Sequence, residues 1–183
     1  MKNNIFKNVS IETNRLILRN FTHEDKNDFY TITRDTKIYE TLPEDHMYSL
    51  EEISQIIDWF IEKYDENTLG NIDKFPLAII LKDEQKLIGN IGIGKYSADN
   101  TKMEIFYFIN SEYWNKGYVS EAVNEFINYI KKNKLVSSLI GSIVPKNIAS
   151  MKILIKNDFK KIEYKDEYNR DCYQLKFIIN KEI

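Results

Sequence analysis

The tetrapeptide Asn115-Lys116-Gly117-Tyr118 is where residue type and spacing point most directly to chemistry. A glycine-containing turn that opens a helix leaves several backbone N–H groups without intrahelical partners, pointing the same way. The positive end of the helix dipole lies beside them. Such a place favours an anion, most often a phosphate. The elements that must hold the turn are legible on either side. Met103 to Ile109 is rich in aromatic and β-branched residues and free of Gly and Pro, as a buried central strand is. After the turn, Val119, Ala122, Val123, Phe126, Ile127 and Ile130 recur with the one-sided spacing of an amphipathic helix.

Other reactive residue types carry weaker signals. Cys172 is the single cysteine, with no histidine near it in a nucleophile pattern, and reads as a small buried hydrophobe. A lone thiol excludes an internal disulfide framework, and no CxxC or His/Cys cluster suggests a metal. His23 and His46 read as surface or loop residues, and Trp114 as an aromatic anchor for the turn. Gly89, Gly92 and Gly94 superficially suggest a nucleotide loop, but no helix pattern follows them. Small residues where another backbone approaches explain them better.

Composition bounds the rest. With 183 residues, 43% hydrophobic and 30% charged, the chain reads as one domain over residues 1–183. A chain of this size buries roughly 70% of the surface its unfolded form exposes, so a sizeable core is expected. A formal charge of -2 argues against a nucleic-acid partner, because phosphate contacts demand a clearly basic face. The N-terminus lacks the apolar core of a signal peptide, and no run approaches the ~18 apolar residues of a membrane span. The expectation is a soluble, cytoplasmic protein with no membrane partner.

Arg15 to Arg19 alternates as a first strand, and Thr22 with Asp25 resembles a helix-start cap for a helix over His23 to Thr33. Ser49-Leu-Glu-Glu52 fits a capping box, followed by Ile53, Ile56, Ile57, Phe60 and Ile61 on one helix face. Tyr39 to Tyr48, between these helices, reads as a loop bordering a cleft. Phe75 to Leu81 and Leu87 to Tyr96 form an antiparallel pair that begins a meander. Ser138 to Val144 is a strand cut off by Pro145. Asn147 to Lys156 is a short helix with Ile148, Met151, Leu154 and Ile155 on one face, and Asn157-Asp158 supplies the left-handed residue that ends it. Phe159 to Tyr168 and Cys172 to Ile179 make a closing hairpin across Asn169-Arg170.

A dinucleotide-binding fold would alternate strand and helix from the start, and this order does not. It resembles the GNAT superfamily of N-acetyltransferases, most of all the group whose members acetylate the N-terminal residue of ribosomal proteins. Four stretches carry the resemblance: Thr13 to Arg19, Leu87 to Gly92, Glu112 to Ala122, and Pro145 to Ser150 with Lys156 to Phe159. They cover nearly the whole chain, in order. The implied fold is α+β in three layers: a mixed, mostly antiparallel sheet of about seven strands flanked by four helices, splayed between the fourth and fifth strands.

The resemblance also implies a chemistry. Acetyl-CoA is the donor, with its pyrophosphate on the backbone N–H groups of Asn115, Lys116, Gly117, Tyr118 and Val119. The pantetheine arm enters the splay and pairs with Phe108 and Ile109. Asn147 matches an asparagine that contacts the cofactor, and Ser150 a serine near its sulfur, although Asn147 is equally an obvious helix N-cap. Acetyl transfer to an amine needs a neutral nitrogen, a stabilised oxyanion and an outlet for the thiolate. Glu104 is the candidate base, with a solvent-facing strand charge as the alternative. Backbone N–H groups near Tyr107 and Phe108 would polarise the thioester, and Ser150 or Tyr107 would meet the departing sulfur. No metal is required.

Gly is usual in the family at position 115 and before the strand tyrosine, where this chain has Asn115 and Phe106. Val119 stands where a small residue is usual. Glu40, Glu44, Asp45, Asp166 and Glu167 lie on segments that border the acceptor cleft in relatives; they attract a cationic amine or are simply solvated. The expected function is transfer of acetyl from acetyl-CoA to a primary amine, either a protein N-terminus or a small molecule, by direct attack in a ternary complex. A non-catalytic acyl-CoA-binding module is the alternative, and a homodimer is left open.

Overall fold

The computed structural model describes residues 4–40, 47–97, 99–165 and 169–176. Among them, one eight-stranded sheet runs through the molecule: β1 (Ser10–Glu12), β2 (Leu16–Arg19), β3 (Lys74–Leu81), β4 (Lys86–Tyr96), β5 (Asp99–Ile109), β6 (Ser138–Ile143), β7 (Lys160–Lys165) and β8 (Asp171–Lys176). Their spatial order is β1-β2-β3-β4-β5-β6-β8-β7. Every neighbouring pair is antiparallel except β5 and β6, which run parallel. The helices are α1 (Lys26–Thr33), α2 (Thr36–Tyr39), α3 (Leu50–Glu66), α4 (Tyr118–Lys132) and α5 (Ile148–Lys156). Against the expected seven strands and four helices, the additions are the short β1 and the single-turn α2.

Local chemistry starts the helices as their sequences suggest. The Ser49 hydroxyl accepts from the Glu52 N–H at 3.2 Å while the Glu52 carboxylate accepts from the Ser49 N–H at 2.7 Å, a complete capping box for α3. Asp25 reaches back to the Thr22 N–H at 2.8 Å, but it closes a 3-10 turn over His23–Asp25 before α1 begins. The buried face of α3 is Ile53, Ile57, Phe60 and Tyr64, and that of α4 is Ala122, Val123, Phe126, Ile127 and Ile130. Val123, Phe126 and Ile130 are 0% exposed, so the predicted stripe is the stripe that packs on the sheet.

Two glycines in β4 explain themselves by crowding. A Cβ on Gly89 would lie 2.2 Å from the Phe108 carbonyl oxygen, and one on Gly92 would lie 2.6 Å from the Phe75 carbonyl oxygen and 2.4 Å from the Phe106 ring. They are close-approach residues, as expected, and Phe106 fills the space above Gly92.

The short helix α5 differs from expectation in its face. Ile148 and Ile155 are 48% and 52% exposed, and Leu154 is the residue that packs inward, over Gly141 of β6. Leu154 sits on the bare glycine and Met151 and Ile153 pack partly buried against the core, while Ile148 and Ile155, half of the predicted stripe, stay outside. Asp158, in the left-handed region at φ 66°, follows its end as predicted. His46, Glu44, Asp45, Asp166, Glu167 and Tyr168 lie outside the described residues, as does the end of the final hairpin beyond Lys176.

Candidate active site

Between β5 and β6 the ladder consists of one registered pair, Glu104 with Ile140. Beyond it the strands part, and a cleft of about 500 Å³ opens between them. Glu104, Tyr107, Phe108, Ile109, Asn115, Gly117, Tyr118, Val119, Asn147 and Ser150 all line it. Residues scattered over some 50 positions of sequence, assigned to cofactor and chemistry, therefore share one cavity. Lys116, on the same turn, is exposed.

The turn has the backbone that an anion cradle needs. Asn115 and Gly117 both sit in the left-handed region, at φ 60° and φ 81°. Asparagine is one of the few side-chain-bearing residues that adopts this conformation readily, so Asn115 is a tolerable replacement for glycine. Gly117 caps α4 without a side-chain hydrogen bond, and Glu121 makes the first intrahelical bond, from its N–H to the Gly117 carbonyl at 3.1 Å. The N–H groups of Tyr118, Val119 and Ser120 precede it, on residues that line the cleft. Val119 lines the cleft from the first turn of α4.

A clamp holds this turn to the first strands. The Glu121 carboxylate accepts from the Thr13 hydroxyl, the Arg15 N–H at 2.8 Å and Arg15 Nε at 2.7 Å. Arg15 Nη1 donates to the Lys116 carbonyl at 2.9 Å, and its guanidinium stacks 4.4 Å from the Tyr118 ring centre. Burial opposes ionisation of Glu121, but the Thr13 and Arg15 donors outweigh it and hold the carboxyl below its usual range. The role of Thr13 and Arg15 was not readable from chain position; the one signal was that they lie in the stretch resembling the family.

On the strand side, Asn110 N–H donates to the Ile88 carbonyl of β4 at 2.9 Å. Backbone groups alternate along a strand, so Phe108 also faces β4, and the N–H groups of Tyr107 and Ile109 face the gap. Phe108 contributes its ring, stacked on Phe29 of α1 with centroids 6.0 Å apart. The Ile109 carbonyl accepts from Trp114 Nε1 at 3.0 Å, which ties the strand end to the turn and makes Trp114 an anchor.

Across the gap, the Asn147 side chain accepts from the Ser150 N–H at 3.0 Å and so caps α5. The Tyr107 hydroxyl lies 3.5 Å from the Ser150 carbonyl oxygen. Desolvation pushes the Tyr107 phenol up to about 12, so it stays protonated at neutral pH. Glu104 is not a solvent-facing strand charge: its side chain is 19% exposed, and Arg170 Nη1 lies 3.9 Å from its Oε1. Arg170, buried at 8% exposure, is a charged cleft residue that the sequence did not single out, because it read only as a hairpin turn. Cys172 lies behind the wall, buried, with Tyr96 Oη at 3.6 Å and Ser142 Oγ at 3.8 Å from its sulfur. His23 is on the surface, 3.1 Å from Asp58.

Comparison with known proteins agrees with this architecture. The acetyltransferase (GNAT) domain family matches residues 15–160. The uncharacterized N-acetyltransferase YnaD of Bacillus subtilis (strain 168) is 32% identical over 148 residues, 81% of each chain. Among solved structures, the ribosomal-protein-S5-alanine acetyltransferase from Vibrio fischeri superposes with a TM-score of 0.77 at 20% identity, covering 92% of this chain and 96% of that one. The ribosomal L7/L12 alpha-N-protein acetyltransferase RimL in complex with coenzyme A gives 0.75 at 14% identity, covering 92% and 98%. At these identities the two structures speak for the fold.

Proposed function

The chain belongs to the acetyltransferase (GNAT) domain family and is an acetyl-CoA-dependent N-acetyltransferase, and from that premise we propose that it acetylates a primary amine by direct attack within a ternary complex. A protein N-terminus is the proposed acceptor, with a small amine as the other member of the class. The observation that carries the reading is the parting of β5 from β6 beside a helix that opens on two left-handed residues. A diphosphate fits the uncapped N–H groups of that turn, and an extended amide-bearing arm fits the unpaired strand edge. The name of the Vibrio fischeri structure, an acetyltransferase of a ribosomal protein's alanine, supports the choice of acceptor.

The residues then divide the work. The turn from Asn115 to Val119 holds the pyrophosphate, and Asn147 orients the start of α5 against the arm. The N–H groups of Tyr107 and Ile109 face the gap, where one pairs with the arm and the other polarises the thioester carbonyl. Glu104 accepts the proton of the attacking amine, directly or through water. As the N–C bond forms and the C–S bond breaks, Tyr107, protonated at neutral pH, or the Ser150 hydroxyl donates a hydrogen bond to the departing sulfur.

Thiol release from acetyl-CoA, measured with a panel of peptides and small amines, tests the reading. E104Q should lower kcat/KM by about 10²–10⁴-fold, and Y107F with S150A should slow turnover together more than either does alone. Wild-type turnover in E104Q would remove the base assignment. Coenzyme A binding with no turnover on any amine would favour a non-catalytic module.

A further inference from the structure

We infer that Arg170 is a positioning residue that acts through Glu104, setting a fixed positive charge beside its carboxylate in the cleft; the inference rests on Glu104 being the proton acceptor. Arg170 stands immediately before β8, which pairs with β6, and β6 pairs with β5 at Glu104. Side chains alternate along a strand, so the sheet face is determined. Glu104 is registered with Ile140, and Ile140 with Gln174, which places all three on one face. Cys172 and Arg170 lie two and four residues before Gln174, on that same face. The guanidinium therefore returns along the sheet towards Glu104, across the strand where the cleft opens.

The geometry sets a charge beside the carboxylate. The Arg170 and Glu104 side chains are 10% and 19% exposed, and their closest approach is 3.9 Å, a charge contact longer than a hydrogen bond. What this geometry does provide is a fixed positive charge beside the carboxylate, which favours its ionised, proton-accepting form. Among the described residues, the other charged or titratable side chains on this face near Glu104 are Lys74, Lys102, Tyr96 and Cys172. Lys74 sits 4.0 Å from the Phe106 ring centre, Lys102 pairs with Asp99 at 2.9 Å, and Tyr96 contacts Cys172.

The test compares R170Q, R170K, E104Q and the double variant E104Q/R170Q. On the acidic limb R170Q should lower kcat/KM about tenfold, while the KM for acetyl-CoA changes by less than about twofold. Without the neighbouring cation Glu104 takes its proton more easily, so the acidic limb of kcat/KM against pH should move up by about one pH unit. R170K, which keeps the charge, should restore the limb. Because Arg170 acts through Glu104, the double variant should be no slower than E104Q alone. An unmoved limb in folded R170Q, or a double variant slower than E104Q by the full R170Q factor, overturns the inference and leaves Glu104 as base. If R170Q does not fold, a limb displaced in R170K as far as the lost charge would displace it overturns the inference, and a wild-type limb supports it. Wild-type turnover in E104Q would instead overturn the premise.

Discussion

Replacing Glu121 by Gln should loosen the cofactor turn and lower stability by an amount the structure allows to be worked out. The carboxylate accepts from the Thr13 hydroxyl, the Arg15 N–H and the Arg15 guanidinium, and its side chain is 19% exposed. An amide can still accept the first two. Its NH2 group must then face Arg15 Nε, so the charge-assisted bond at 2.7 Å becomes a donor facing a donor. Such a bond contributes about 1.5–3 kcal/mol. Arg15 is 38% exposed and partly screened, so the low end applies. The lost negative charge in the first turn of α4 adds about 0.5 kcal/mol. The expected total is about 2 kcal/mol, or about 4–8 °C in Tm for a chain of this size. The pH dependence has a definite sign. The folded-state carboxyl lies below its ordinary value of 4.5. The unfolded chain therefore takes up the proton first as pH falls, and the stabilisation is complete above that value and lost as pH drops through the folded one. Urea titrations of wild type and E121Q should show their widest difference at about pH 7 and a shrinking one below about pH 4.5. A difference under about 0.5 kcal/mol at neutral pH, or one that persists unchanged in acid, would refute the clamp.

Two further substitutions test other parts of the reasoning. G117A puts a side chain at φ 81°, with its Cβ 3.4 Å from Arg15 Nη2, and should cost about 1–2 kcal/mol. It should also weaken coenzyme A binding in calorimetry, and unchanged affinity would argue against the turn as the anion cradle. Y64F removes a buried hydroxyl that accepts from the Phe21 N–H at 3.0 Å and donates to the Pro76 carbonyl at 2.7 Å. Burial raises this phenol well above its usual range, and stranding both partners should cost about 2–3 kcal/mol in denaturant titration; a loss within experimental error would mean that water replaces the hydroxyl.

Much of this molecule was determined by short-range pattern. The α3 capping box, the α4 stripe, the crowded glycines of β4, the left-handed Asp158 and the strand–turn–helix around Gly117 were all legible in the sequence. Each depends on residues within a turn of one another or on the period of a single element. Even the anion cradle belongs to this class, because a helix N-terminus is a local object. The face of α5 did not: Ile148 and Ile155 belong to a good apolar pattern, but a helix resting on Gly141 through Leu154 leaves them about half exposed among the described residues.

The tertiary structure decided what lies across the turn and the cleft. Arg15 and Glu121 are 106 residues apart, and their contact exists because β2 ends up beneath the start of α4. Arg170 reaches Glu104 because β8 inserts between β6 and β7 in the sheet order. The cleft itself is the failure of β5 and β6 to pair beyond Glu104 and Ile140. Patterns of period 2 or 3.6 report which face of an element is apolar and say nothing of which distant element covers it. Register and strand order are set by packing of the whole sheet, and only there do a carboxylate, a guanidinium and an open strand edge come to share one wall.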